Sequence, residues 1–188
     1  LANINPIKTS CVSKPFIVSA VIILFAGSFL GAAWMMTIFN FGLPSWFGQL
    51  FQQHRIFQID GFLTLLIMGV GYMIVPRFRN VSLPSVKYAY LSFLFVIVSL
   101  IFQVVTPPQP SILTDDKFFL VITILRLSGI AIFAIIIFLM LKIRPKRLRL
   151  SDYFIALSTM TLLTMNMIEL AQMFDIIDSE EELTKPKS

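Results

Sequence analysis

His54, Asp60, Arg126 and Glu169 are the residues whose types could do chemistry within otherwise apolar stretches of this chain. His54 is the only histidine and Cys11 the only cysteine, so thiol-ligated zinc, iron–sulfur clusters and covalent haem attachment through C-x-x-C-H are excluded within this chain. A lone imidazole cannot build a metal site alone. Asp60, Arg126 and Glu169 are charges inside apolar runs, where each costs about 2.5–3.5 kcal/mol even on insertion scales. A charge kept at that cost points either to a polar site or proton path, or to an ion pair that fixes how helices pack.

The elements that must position these residues follow from composition. Of the 188 residues 57% are hydrophobic and 13% charged, with 19 Phe, and the mean hydropathy is +0.85. That exceeds what a soluble core of this size could hide, so the chain reads as an integral membrane protein. A helix needs roughly 20 apolar residues to cross the hydrocarbon layer, and five such runs are present, at about 15–39, 56–75, 86–105, 118–141 and 153–174. They are continuously apolar, whereas barrel strands would alternate. The expected fold is an all-α, polytopic bundle of five transmembrane helices forming a single domain over 1–174. Residues 175–188, with Asp175, Asp178 and Glu180 to Glu182, read as an acidic disordered tail.

Basic residues set the orientation. Lys8, Lys14, Arg77, Arg79, Lys87 and the group Lys142, Arg144, Lys146, Arg147 and Arg149 fall on one side, against Arg55, Lys117, Lys185 and Lys187 on the other. The positive-inside rule then places the N-terminus in the cytoplasm and the C-terminus outside. The net charge of +5 is thereby explained as juxtamembrane clusters that face lipid headgroups, and nothing else suggests nucleic acid. The first run is too long for the apolar core of a cleavable signal peptide and reads as an anchor that stays. From Pro44, the spacing of Trp46, Phe47, Leu50 and Phe51 fits a short amphipathic helix in the outer interface, and equally an interfacial loop with an aromatic anchor.

At about 1.5 Å per residue, Asp60 lies roughly 6 Å, Arg126 roughly 12 Å and Glu169 roughly 8 Å below the outer end of their helices. All three fall in the outer half, and the long arginine leans toward that end, so an Asp60, Arg126, Glu169 cluster is expected. Gln58, Asn166 and Gln172 lie near it in sequence, and Met160, Met165, Met167 and Met173 line the last helix. Gly27 and Gly31 form G-x-x-x-G in the first helix, and Gly61, Gly69 and Gly71 recur in the second, which predicts close packing of these two helices.

The stretch HRIFQIDGFLTLLIMGVGYMIVPRF, with His54, Gly61, Gly69, Tyr72 and Pro76, resembles the second helix of haem-copper oxidase subunit I, above all its C-type oxidase and nitric oxide reductase branch, and related NnrS-type membrane proteins. The resemblance covers roughly the first two helices and implies haem, with the histidine at this place as an axial ligand. Carried over, it makes His54 the candidate ligand to a haem b. The second ligand would then come from a methionine of the last helix, such as Met167, or from His54 of another copy. Ile56 stands where an H-x-H pattern would put a second histidine, and the histidines of a catalytic haem and copper centre are absent. The chain is therefore not expected to be an oxygen- or nitric oxide-reducing enzyme on its own.

Three functions are compatible with these residues. One is a cofactor-free accessory or scaffold subunit of a membrane complex, or a homo-oligomer, in a prokaryotic cell membrane. Another is a haem protein of electron transfer, nitric oxide response or oxidase assembly, built on His54. The last is a small transporter using Asp60, Arg126 and Glu169, for which internal repeats and broken helices are lacking in the sequence.

Overall fold

A computed structural model of the protein describes residues 6–39, 50–105, 116–143 and 150–184, and the elements among them are helices. These are α1 (Pro6–Ile38), α2 (Leu50–Arg55), a π-helical segment (Ile56–Leu63), α3 (Thr64–Arg79), α4 (Val86–Val105), α5 (Asp116–Lys142) and α6 (Leu150–Thr184). Since α2, the π segment and α3 continue into one another, five rods result. All five are long and apolar enough to cross a membrane.

Four ends differ from the sequence expectation by a turn or more, one of them the end of the second rod, which runs through Pro76 to Arg79 instead of closing at 75. The first helix begins at Pro6 and runs through Pro15, expected as its start. Proline lacks the N–H that would bond the carbonyl four residues earlier, so the Cys11 carbonyl loses its helical donor. The Tyr90 hydroxyl of α4 donates to that carbonyl at 3.2 Å, which satisfies the group the proline leaves free. The second rod starts at Leu50 rather than Ile56, because its added turn is held to α1: the Phe51 ring lies 4.6 Å from Trp34, and His54 bonds the Gly27 carbonyl. The last helix continues to Thr184, so the expected disordered tail is corrected for residues 175–184, where Ile, Leu and Glu favour helix. The amphipathic helix expected from Pro44 falls mostly on residues 40–49, outside the described residues.

Tyr72 joins four rods. It is fully buried on α3, with its ring edge-to-face on Phe16 of α1 at 5.3 Å and on Phe133 of α5 at 5.2 Å. Its hydroxyl lies 3.0 Å from the Ser92 hydroxyl of α4. Ser92 spends its one proton on the Ala89 carbonyl, so Tyr72 is the donor in the pair. The close packing expected between the first two rods is present, with Gly69 against Phe16 and Ile17, and Gly61 against Ile23. Gly71 is the exception: it faces Phe133 of α5.

The exterior is apolar and the interior holds charge. Phe25 and Phe29 on α1 are 72% and 74% exposed, while Arg126 at 1% is the largest fully buried side chain among the described residues. This inversion is what lipid as the surrounding medium requires, since exposed phenyl rings cost nothing there and a bare charge costs much.

The last helix packs differently from the rest. Its inward residues Asp152, Ile155, Thr159, Leu162, Asn166 and Glu169 recur at alternating spacings of three and four, the heptad pattern of a helix seam. Every second position of this seam, Asp152, Thr159 and Asn166, is polar, and all three are buried. Where lipid competes equally for apolar faces, polar residues such as Asp152 and Asn166, which meet Arg79 and Arg126, supply the specific contact between helices, while the Thr159 hydroxyl bonds back to Ile155 of its own helix.

Candidate functional site

Arg126, in the first half of α5, gathers four side chains from three other elements around one guanidinium. Its Nε–H donates to Asn166 Oδ1 of α6 at 3.0 Å and its Nη1 to Gln103 Oε1 of α4 at 3.0 Å. Nη1 also lies 3.1 Å from the Asp60 carboxylate of the π segment, and Nη2 pairs with the Glu169 carboxylate of α6. The Asn166 amide is oriented by its own helix: Nδ2 donates to the Leu162 carbonyl at 2.9 Å, which leaves Oδ1 for the arginine. The expected trio is thus assembled on one guanidinium, towards the end of the bundle where α1 finishes and α2 begins.

Two amides complete what the charges began. Asn166 was in sight as a neighbour of Glu169, but Gln103 carries no motif. Its signal is positional, as the one amide near the end of an otherwise apolar α4, at the same end of the bundle as Asp60 and Glu169. Gln58 does not join; its amide donates to the Ser28 hydroxyl of α1 at 3.3 Å. Gln172 is exposed on α6.

Asp60 reaches Arg126 from an unusual backbone. Thr64 N–H returns to the Ile59 carbonyl five residues back, and the Thr64 hydroxyl reaches the same oxygen at 3.3 Å. Such i to i+5 bonding widens the helix and shifts the direction of its side chains relative to a regular one. The π segment is centred on Asp60, so the shift falls where the charge must be aimed.

His54 serves a different contact. Its Nδ1 lies 2.7 Å from the Gly27 carbonyl, and since a carbonyl only accepts, Nδ1 carries the hydrogen and Nε2 is left as the open nitrogen. The ring fills the notch made by the G-x-x-x-G pair: a Cβ on Gly31 would sit 2.7 Å from both Nδ1 and Cε1, and one on Gly27 would meet Phe57 and Gln58. A haem b, as the resemblance implies it, would find in His54 one axial ligand held in the tautomer that iron requires. The notch that could admit a flat macrocycle is filled by side chains of the second rod. Met167 lies exposed on α6, off the seam of Asn166 and Glu169, whereas His54 on α2 is turned to α1. Ile56 is buried in the core.

A second buried ion pair closes the opposite end. Arg79, at the end of α3, lies 3.3 Å from Asp152 on α6, and its Nη2 donates to the Leu141 carbonyl at the end of α5. The sequence presents Arg79 as one more juxtamembrane cation, yet its side chain is 7% exposed and that of Asp152 2%. Both ends of the α6 seam are thus fastened by an arginine from another helix.

Among the described residues no group of three or more His, Cys, Asp or Glu side chains is placed to hold a metal ion. Comparison of the chain with protein-family models, curated proteins and solved structures finds no match.

Proposed function

We propose that this chain is a non-catalytic integral membrane protein, an accessory or scaffold subunit of a membrane complex, related in lineage to haem-copper oxidase subunit I. The observation that carries this reading is the saturation of Arg126: Nε, Nη1 and Nη2 are all engaged by residues of three other rods. A side chain with four of its five N–H groups so engaged fixes the mutual rotation of helices rather than serving a substrate. The resemblance of the His54 to Pro76 stretch supports the lineage, and the basic loops support a cytoplasmic N-terminus. Extraction of native membranes in a mild detergent tests it. The chain should migrate with defined partner subunits at fixed stoichiometry; recovery only as a free monomer refutes the subunit role.

A second reading is favoured by one contact. The bond from His54 Nδ1–H to the Gly27 carbonyl is the outer hydrogen bond typical of a ligating histidine, with Nε2 left for a haem b iron. Oxidised and reduced absorption spectra of protein expressed with ample haem decide this. A Soret band lost in His54→Ala establishes the haem reading, and a colourless protein removes it.

A further inference from the structure

The polar centre does not balance its charge. Arg126 brings one positive charge, and Asp60 and Glu169 bring two negative ones, each carboxylate against a different terminal nitrogen of the same guanidinium. The other groups that bond within the centre are neutral. The α4 neighbour is Gln103 and the second α6 neighbour Asn166. On α1, the Ser28 hydroxyl takes the Gln58 amide. Thr64, at the start of α3, bonds the Ile59 carbonyl. Arg55, on α2, also acts on Asp60, but from an exposed position and without an ion pair among the described residues, so solvent screens it and it is no second buried cation. The other buried charges, Arg79 and Asp152, pair with each other at the far end. An unmatched anion inside an apolar bundle is far costlier than its neutral acid, and water can supply the proton that removes it.

We propose that the Asp60–Arg126–Glu169 centre binds one exchangeable proton, held on one of the two carboxylates while the other forms the ion pair with Arg126. The forked guanidinium permits either assignment, because Nη1 and Nη2 each already contact one acid. Exposure rises outward through the centre, from 2% for the Arg126 side chain to 17% for Asp60 and 31% for Glu169, which makes Glu169 the member through which the proton exchanges with water. Loss of the proton sets two anions against one cation across the α6 seam. The later half of α6, which Glu169 and Asn166 hold to the bundle, is the part that then loosens.

Infrared difference spectroscopy of the full chain in lipid vesicles tests this, with inorganic buffer as the only titrant. The wild type at neutral pH should show the C=O stretch of one protonated carboxylic acid per chain, shifted in D2O and lost as the pH is raised. Asp60→Asn and Glu169→Gln should each abolish the band, because the remaining carboxylate and Arg126 already balance. Amide hydrogen exchange in the later half of wild-type α6 should quicken, beyond the ordinary base-catalysed increase seen in α4, as the band disappears. Absence of the band in folded wild type, or its persistence in both variants, overturns the proposal. If neither neutral variant folds, Glu169→Asp, which keeps the charge, must move the band; an unmoved band assigns the proton elsewhere and refutes the centre.

Discussion

Replacing Arg126 with leucine should be the most damaging single change in the protein, and neutralising its partners should repair much of the damage. Arg126→Leu keeps an apolar side chain at a 1% exposed position but removes the cation shared by Asp60 and Glu169. Breaking a buried ion pair from one side costs about 3–5 kcal/mol, because the remaining charge stays uncompensated. Two further acceptors, Asn166 Oδ1 and Gln103 Oε1, lose their donor, at roughly 1–3 kcal/mol each if they stay buried and dry. Glu169, 31% exposed, can be hydrated or protonated, and the released amides can turn to water or to one another, which keeps the total near the ion-pair cost alone. An expected loss of about 3–5 kcal/mol follows, read by reversible denaturant unfolding in mixed micelles. The triple variant Arg126→Leu, Asp60→Asn, Glu169→Gln should regain at least half of it, since no bare charge is then left in the bundle. A loss below about 1 kcal/mol for Arg126→Leu, the range of exposed pairs, would show that the cluster carries no structural weight. A triple variant no more stable than the single one would show that stranded charge is not the cause.

Two other perturbations probe the α1 contacts. Gly31→Ala places a Cβ 2.7 Å from the His54 ring, so the imidazole must leave its notch, at about 1–3 kcal/mol for overpacking. In a His54→Ala background the same change should cost close to nothing, and equal costs in both backgrounds in a double-mutant cycle would refute the packing assignment. Tyr90→Phe removes the donor to the Cys11 carbonyl and should cost about 1 kcal/mol in unfolding stability. With Pro15→Ala restoring the helical N–H to that carbonyl, Tyr90→Phe should become nearly silent, and an unchanged penalty would mean that Tyr90 acts elsewhere.

The contrast between Gln103 and Asp60 shows where sequence reading succeeds and where it stops. Asp60, Arg126 and Glu169 are conspicuous because a charge in an apolar run is costly wherever the run folds, and counting residues from one end already places them at similar depth. Gln103 is an ordinary amide near a helix end, and only the rotation of α4 about its axis turns it toward Arg126. Arg79 misleads in the opposite sense: a basic residue at a helix end looks like one more headgroup contact, and its burial against Asp152 depends on where α6 starts in three dimensions. His54 stands out by being unique, yet its partner is a backbone carbonyl, and backbone carbonyls leave no mark in a sequence.

The number of membrane-length helices, their order and the depth of each charge are properties of the chain read in one dimension. Apolar length and residue count settle them locally, which is why α4 matches its expected span of 86–105. Tertiary structure decided the azimuths: the π turn that aims Asp60, the Gly27 carbonyl that takes His54, the polar seam of α6, and the extra turn at 50–55. The physical reason is that rotating or lengthening a helix changes little within the helix itself. Its favoured rotation emerges only when a neighbouring rod supplies the carbonyl, the carboxylate or the glycine notch that a given side chain needs.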